Sequence, residues 1–238
     1  VIGKNTAASL SFAAVMAQAA RVYKDFDPTF AKTCLAAARK AWLWGRQNPN
    51  VVFANPADIF TGPCKDNYFE DDRNWAAIEL YLTTGEDSFY QAANLAEIRL
   101  RRIPNRRNVN AIPFMLMSLH PDKMAATGDE EMIKKTFFRL ADLYKNYTLN
   151  VSAYRVPLGR VKQDFNWGSN GLLSGMGMVL AHAWRLTGDD SYLEASIDAL
   201  DYIMGRNALN YCFLTGAGDK APMHIHHRPS EADGITAP

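Results

Sequence analysis

Cysteine is scarce in this 238-residue sequence, which has three, and they lie far apart at Cys34, Cys64 and Cys212. An odd number at such spacing is neither a disulfide framework nor a zinc-ligand pattern. A charge excess is also missing, because 26 Lys and Arg residues face 25 Asp and Glu residues. No net field favours nucleic acid or an anionic membrane, so we expect neutral partners.

Long apolar runs are lacking as well. No stretch reaches the roughly 18 residues that a membrane-spanning helix needs, and no signal peptide is recognisable. We therefore expect a soluble chain. Hydrophobic residues nevertheless make up 48% of the sequence, which over this length supplies a sizeable core. The composition predicts a globular protein.

Strand-like alternation is rare, and helical patterns fill most of the chain. Residues 7–23 are apolar or small almost all round, which predicts a helix buried on all sides. Residues 29–44 place their apolar side chains at helical spacing, which predicts an amphipathic helix packed on its predecessor.

One turn motif recurs between helical stretches. Residues 82–93 read LTTGEDSFYQAA and residues 185–196 read RLTGDDSYLEAS, with a third, shorter copy at 127–130. A glycine that ends one helix, followed by Asp or Ser that begins the next, predicts an antiparallel helical hairpin. Repeated hairpins suggest an all-α, two-layer array. The irregular spacing and the long loops at 45–70 and 148–166 favour a closed α/α toroid over a solenoid.

The first long loop is acidic. Asp66, Glu70, Asp71 and Asp72 fall within seven residues and follow a turn at Thr61-Gly62. Carboxylates and backbone carbonyls are the oxygen ligands that calcium prefers. The same acidic residues also suit the positive end of the dipole of the helix that follows. The residues alone leave both interpretations open.

The second long loop ends in Asp164-Phe-Asn166-Trp167-Gly168-Ser169-Asn170. Trp167 could stack on a sugar ring while Asp164, Asn166 and Asn170 bond its hydroxyl groups. The alternative is a core tryptophan beside a Ser-Asn helix cap, which the residue types alone favour.

Near the end of the sequence, three of the five histidines fall within four positions, beside Arg228, in a segment broken by proline and glycine. This segment predicts a loop that presents imidazole and guanidinium groups to a ligand. A solvated basic turn is the alternative. His224-x-His226 also suggests metal ligands, but no cysteine or carboxylate stands at a familiar ligand spacing, which argues against zinc.

Several motifs in order resemble glycoside hydrolase family 9. They begin with the N-terminal Asn5-Thr-Ala-Ala8 and the acidic loop with its following Trp75-Ala-Ala. The likeness covers essentially the whole chain and is greatest to the subgroup whose catalytic domain often follows an immunoglobulin-like module. The four specific motifs are Phe165-Asn-Trp167-Gly168-Ser169-Asn170-Gly171, Tyr202-Ile-Met-Gly205-Arg-Asn207, Phe213-Leu-Thr215-Gly216 and His224-Ile-His226-His227-Arg228-Pro229-Ser230-Glu-Ala-Asp233-Gly234.

The resemblance implies an (α/α)6 barrel that hydrolyses β-1,4-glucan with inversion. It implies that His226, as part of the catalytic machinery, and Arg228 line the cleft near the cleavage point. Trp167, Tyr68 and Asn170 are the further substrate-binding residues that we expect. Inversion needs a carboxylate base and a carboxylic acid far enough apart to admit a water molecule. The family takes the base from an Asp-x-x-Asp motif and the acid from a distant glutamate.

The resemblance also implies a structural calcium ion held by Thr61, Asp66, Asp71 and Asp72. Two departures stand out, since Cys64-Lys65 replaces the family's usual Tyr-Gly and Asp71-Asp72 its usual Asp-Glu. Neither proton-transfer group matches a residue of this chain. We therefore expect residues 1–238 to be a partial catalytic domain that lacks its N-terminal and C-terminal portions, and expect these residues alone to be inactive.

The expected partners are a β-glucan oligosaccharide or polysaccharide and the remaining segments of the same domain, with an immunoglobulin-like module as a further candidate. Neither nucleic acid nor membrane is expected. The resemblance implies secretion, or a periplasmic or cell-surface location. Two alternatives remain, a carbohydrate-binding or degenerate homologue without catalysis and a helical-repeat scaffold that binds protein.

Overall fold

The computed structural model describes residues 3–58, 66–101, 108–223 and 225, and within these ranges the chain forms α-helices and short 3₁₀ helices without an extended strand. The all-α prediction is confirmed. The α-helices are α1 (Thr6–Tyr23), α2 (Pro28–Gln47), α3 (Glu70–Thr84), α4 (Asp87–Ala92), α5 (Ala111–Ser118), α6 (Pro121–Ala126), α7 (Glu130–Asn150), α8 (Ser169–Thr187) and α9 (Asp190–Met204).

The chain divides into two compact units, Val1–Phe137 and Phe138–Pro238, and α7 runs across the boundary between them. The first unit contains α1 to α6, and the second contains α8 and α9 with their loops. Among the described residues, no helix is both long and apolar enough to span a membrane.

Side-chain caps set where the first two helices begin. The Asn5 Oδ1 accepts a hydrogen bond from the Ala8 N–H at 2.9 Å, and the Asp27 Oδ1 accepts one from the Phe30 N–H at 2.9 Å. Pro28 opens α2, where a missing N–H costs nothing. Each cap satisfies a donor that the helix cannot satisfy itself.

Helix α1 packs on α2 and α3 through small side chains. Leu10, Ala13, Ala14 and Ala17 are fully buried, and a Cβ added to Gly45 of α2 would lie 2.7 Å from the Leu10 Cδ2. Glycine at position 45 therefore permits the close approach of the two helices. The prediction that this first helix is buried all round is wrong. Three apolar side chains on its other face are about half exposed: Phe12, Val15 and Val22.

The recurrent turn predicted from sequence is confirmed. Gly85, Gly128 and Gly188 all have left-handed φ angles, of 75°, 76° and 71°. At the turn between α8 and α9, the Gly188 N–H donates to the Trp184 carbonyl at 2.7 Å. The Asp189 carboxylate then accepts from the Ser191 N–H at 3.0 Å, so it caps α9. Helix α9 therefore turns back along α8.

In the second unit, α8 and α9 form a close-packed hairpin. Gly177 of α8 faces Ala199 of α9, where an added Cβ would lie 3.4 Å from the Ala199 Cβ. Since α9 runs back along α8, the start of α8 and the end of α9 lie at the same end of the hairpin. The loop before α8, residues 151–168, and the segment after α9, residues 205–223, therefore both extend from that end.

Candidate functional site

Two carboxylates predicted as metal ligands lie in the first turn of α3 and are buried. Asp71 is 1% exposed and Asp72 is 6% exposed. The Asp72 Oδ1 accepts a hydrogen bond from the Ser11 hydroxyl of α1 at 2.8 Å. The Asp71 Oδ2 accepts one from the Val109 N–H at 2.7 Å. Both side chains thus connect the start of α3 to other elements of the first unit.

Burial and mutual repulsion shift the titration of these carboxyl groups. Burial is the largest of the effects that together raise the pKa of Asp72 to about 7. The charges of Asp71 and Asp66 also raise this pKa, and the hydrogen bond from the Ser11 hydroxyl lowers it. Burial likewise raises the pKa of Asp71, although the Val109 N–H lowers it. Anionic carboxylates are therefore costly here unless a cation compensates them.

Two buried side-chain oxygens, one of them in this pair, have no hydrogen-bond partner among the described residues. One is the Oδ1 of Asp71, and the other is the Oδ1 of Asn110, which follows Val109 directly in the chain. Unsatisfied buried oxygens are uncommon, and an ordered water or an ion is the usual partner of such an atom. Asn110 carries no motif, so sequence reasoning could not single it out.

The predicted metal quartet is only partly described. Thr61 lies outside the described residues, and the Asp66 Oδ1 accepts a hydrogen bond from the Tyr68 N–H at 3.0 Å. Among the described residues, no group of three or more His, Cys, Asp or Glu side chains is close enough to hold a metal ion. Glu70, Asp71 and Asp72 all occupy the first turn of α3, as the helix-dipole interpretation requires. Tyr68 is 46% exposed.

Trp167 is 87% exposed at the start of α8, so the core-tryptophan interpretation is wrong. Gly168, with φ 81°, precedes the helix, and the helix start has no side-chain cap, so the predicted Ser-Asn cap is also wrong. The left-handed glycine turns the chain into α8 just after Trp167, while Asn170 is half-buried in the first turn. Trp167 is thus presented outward by a fixed turn.

Asp164 does not reach outward as a sugar ligand would. It is 8% exposed, and its Oδ2 accepts hydrogen bonds from the Gly159 N–H at 3.1 Å and the Val161 N–H at 3.2 Å. Its carboxylate therefore folds its own loop three residues before Trp167. The prediction that Asp164 bonds sugar hydroxyl groups is corrected to a structural role.

The segment after α9 is held by the side chain of Asn207. Its Nδ2 donates to the Tyr202 carbonyl at 2.7 Å and to the Tyr211 carbonyl at 2.8 Å. The Tyr211 hydroxyl donates to the Ala221 carbonyl at 2.7 Å. His226 and Arg228 follow in the sequence but lie outside the described residues, so their predicted roles stay predictions.

The profile of the family described as Glycosyl hydrolase family 9 matches residues 2–237 of this chain. The chain belongs to that family. The resemblance drawn from the ordered motifs is thereby confirmed over essentially the full sequence.

Characterised family 9 relatives match the whole of this chain. The xyloglucan-specific endo-beta-1,4-glucanase BoGH9A of Bacteroides ovatus is 32% identical over 253 residues, covering 100% of this chain and 43% of that protein. Endoglucanase D of Acetivibrio thermocellus is 32% identical over 98% of this chain and 37% of its own length. The chain thus spans less than half the length of these relatives.

Solved family 9 structures share the fold. A Bacteroides ovatus GH9 structure matches 100% of this chain and 46% of its own chain, with a TM-score of 0.87 and 32% identity. AaCel9A in complex with cellobiose-like isofagomine matches 99% of this chain and 44% of its own, with a TM-score of 0.88 and 29% identity. These neighbours are (α/α)6 barrels, so the helices described here correspond to part of such a barrel.

Proposed function

We propose that this chain is part of an enzyme that hydrolyses β-1,4-glucosidic bonds in cellulose or related β-glucans by an inverting mechanism. The observation that carries the proposal is the family 9 match over residues 2–237, which runs through both compact units. Residues 1–238 accordingly form part of one (α/α)6 catalytic domain, and they supply scaffold and substrate-binding groups. Endoglucanase relatives that align along the whole chain support a glucan substrate.

Trp167 supports the proposal from the structural side. An indole ring exposed at 87% on a fixed turn offers a flat apolar face, which suits stacking against a sugar ring. The half-buried amide of Asn170 and the exposed phenol of Tyr68 can exchange hydrogen bonds with hydroxyl groups. The solved relative AaCel9A holds a cellobiose-like isofagomine. We infer the same class of ligand for this chain.

His226 and Arg228 are proposed to hold the sugar next to the scissile bond. A guanidinium and an imidazolium donate charge-assisted hydrogen bonds, which orient a hydroxyl-rich ring more tightly than neutral donors do. In an inverting hydrolysis, one carboxylic acid protonates the leaving oxygen while a carboxylate activates a water on the opposite face of the ring. We assign neither proton transfer to a residue of this chain. A polymeric substrate favours an enzyme that is secreted or displayed outside the cytoplasm.

Calcium is proposed as a structural ion beside α3, with Thr61, Asp66, Asp71 and Asp72 as its ligands. The donor set fits, because buried carboxylates repel one another and the Asp71 Oδ1 accepts no hydrogen bond from a described residue. Carboxylate and backbone oxygens are the hard donors that calcium takes. A bound calcium ion would supply positive charge that stabilises the anionic carboxylates and fixes the start of α3.

Titration calorimetry with a cello-oligosaccharide tests the binding role. We expect Trp167→Ala and His226→Ala each to weaken binding by about tenfold or more, as loss of a central aromatic or charged contact does. Trp184→Ala is the matched control, because Trp184 is 38% exposed near the other end of α8. Equal affinity in all variants would refute the assignment.

Inversion is tested on the protein that contains the remainder of the domain. Proton NMR during early hydrolysis should show the α-anomer at the newly formed reducing end, because a single displacement inverts the β-bond. Initial release of the β-anomer would contradict the mechanism.

A further inference from the structure

Asp198 is a buried carboxylate in α9 that binds two arginines at once. Its side chain is 11% exposed. The Asp198 Oδ2 accepts from the Arg155 Nε at 2.8 Å, and its Oδ1 accepts from the Arg206 guanidinium at 2.6 Å. The same guanidinium also donates to the Asp198 carbonyl at 3.0 Å. Both oxygens of one carboxylate are thus taken up by charge-assisted hydrogen bonds.

Arg155 belongs to the loop that leads to Trp167. Its φ angle is 53°, which is a left-handed conformation that a side chain with a Cβ adopts only under constraint. After it, Val156 and Leu158 are buried, and Asp164 folds the rest of the loop through the Gly159 and Val161 amides. The contact with Asp198 therefore holds the base of a loop that is internally braced up to Trp167.

Arg206 belongs to the other segment at this end of the hairpin. Its N–H donates to the Asp201 carbonyl at 2.9 Å directly after Gly205, which has a φ angle of 132°. Downstream, the Phe213 N–H donates to the Ile203 carbonyl at 2.8 Å, and the Cys212 N–H donates to the Lys220 carbonyl at 2.8 Å. This segment too is braced as one piece, and in the sequence it leads to His226 and Arg228.

Ring contacts join the same two segments to α9. Tyr154, next to Arg155, meets Tyr202 edge-on with ring centroids 6.3 Å apart. Tyr202 in turn lies 6.4 Å from the ring of Phe213. These aromatic contacts are independent of the ion pairs, and they connect the same three elements: the 151–168 loop, α9 and the 205–223 segment. We call this meeting point around Asp198 the junction.

We propose that Asp198 is a positioning residue, which fixes the 151–168 loop and the 205–223 segment on α9. The loop thereby presents Trp167 to the glucan, and the segment leads in the sequence to His226 and Arg228. The glucan as ligand follows from the proposed function, whereas the contacts of Asp198 with Arg155 and Arg206 are independent of it. Without the Asp198 carboxylate, two guanidinium groups lose their shared acceptor, and each braced segment is free to shift as a unit. Such shifts weaken binding even where no contact residue is changed.

Hydrogen exchange and calorimetry on the same variants test the proposal. Asp198→Ala should raise exchange about tenfold at amides of both segments, such as Val161 and Cys212, while amides within α8 and α9 keep their protection. If the alanine variant folds poorly, Asp198→Asn is the substitute, because its side chain has the same shape without the charge. It should raise exchange in at least one of the two segments. Arg155→Met should release only the 151–168 loop, and Arg206→Met only the 205–223 segment.

Two exposed carboxylates are matched controls. The Glu194 side chain, which is 60% exposed, forms an ion pair with the same Arg155. The Asp201 side chain is 51% exposed, and its Oδ2 lies 3.8 Å from the Arg206 Nε. Glu194→Gln and Asp201→Asn should leave exchange and cello-oligosaccharide affinity nearly unchanged, because exposed pairs contribute little. Asp198→Asn should weaken that affinity by about tenfold, the loss typical of a hydrogen bond to a charged group.

Uniform loss of protection through α8 and α9, with affinity falling only with the folded fraction, would reduce Asp198 to a stability residue and overturn the proposal. Unchanged exchange at both segments would overturn it as well. Failure of the unaltered chain to bind cello-oligosaccharide is a different result. It would refute the proposed ligand, and the exchange pattern alone would then decide whether Asp198 holds the two segments.

Discussion

At the scale of single residues, Glu79 of α3 is the clearest case of a charge whose partner decides its effect on stability. It is 0% exposed, and its Oε2 accepts a hydrogen bond from the Arg21 guanidinium of α1 at 2.7 Å. Burial raises the pKa of Glu79, and Arg21 opposes that rise. Arg21 also donates to the Thr83 hydroxyl at 2.8 Å, so this one side chain connects α1 to two residues of α3.

We predict that Arg21→Met lowers the free energy of unfolding by about 3 kcal/mol. This is the low end of the cost of breaking a buried ion pair, because the Arg21 side chain is 23% exposed. The deficit depends on pH. A carboxyl group with a raised folded pKa favours folding when protonated, so the deficit is largest above that pKa and shrinks as the pH falls through it. Urea unfolding at several pH values measures both effects.

The double variant Arg21→Met/Glu79→Gln removes the buried charge and should recover part of the loss. Arg39→Met is the matched surface control, because Arg39 and Glu86 form an ion pair whose side chains are 42% and 46% exposed. It should change the unfolding midpoint little. A deficit for Arg21→Met that is independent of pH would show that lost packing, not the Glu79 charge, is responsible.

At the scale of helices and turns, sequence reasoning was accurate where the signal is local. Glycine followed by acidic residues predicted the turns at Gly85, Gly128 and Gly188, because left-handed backbone is a local property of the residue. Exposure was not predictable in this way. The residue types alone favour a core position for Trp167, and the apolar pattern predicts a fully buried first helix. Burial depends instead on which distant elements pack there.

The same limit explains which site residues were missed. Asp198, Arg155 and Asn110 stand in no motif, and their importance arises only when loops far apart in sequence meet. The left-handed φ of Arg155 has no sequence signal at all, since glycine or asparagine would be the expected residue there. Motifs identified the family, whereas the contacts that support its loops required the structure.

The turn chemistry gives a prediction for α8. Gly188→Ala should destabilise by about 1–2 kcal/mol, although an added Cβ meets nothing within 4 Å, because the left-handed φ of 71° itself is strained for alanine. Gly171→Ala is the matched control inside the same helix, where an added Cβ also meets nothing within 4 Å. It should stabilise by about 0.5–1 kcal/mol. Thermal unfolding of both variants measures the contrast, and equal shifts of one sign would contradict it.

At the scale of the whole molecule, the proposed calcium ion would couple segments that are far apart in the sequence. Asp72 contacts α1 through Ser11, and Asp71 contacts the residues before α5 through Val109. An ion at these carboxylates would therefore stabilise much of the first compact unit through α3. The Asp71 Oδ1, which accepts no hydrogen bond from a described residue, would gain a partner at the same time.

We predict that calcium raises the thermal midpoint of the chain and that a chelator lowers it. An ion that binds only the folded state stabilises by about 2.7 kcal/mol at a hundred times its Kd. Asp71→Asn should abolish the response to calcium, because it removes the charge of a carboxylate with an unpaired buried oxygen. Asp58→Asn, at an exposed carboxylate earlier in the same loop, should keep the full response. A midpoint that is independent of calcium in the unaltered chain would refute the ion, and an equal response in both variants would exclude Asp71 as a ligand.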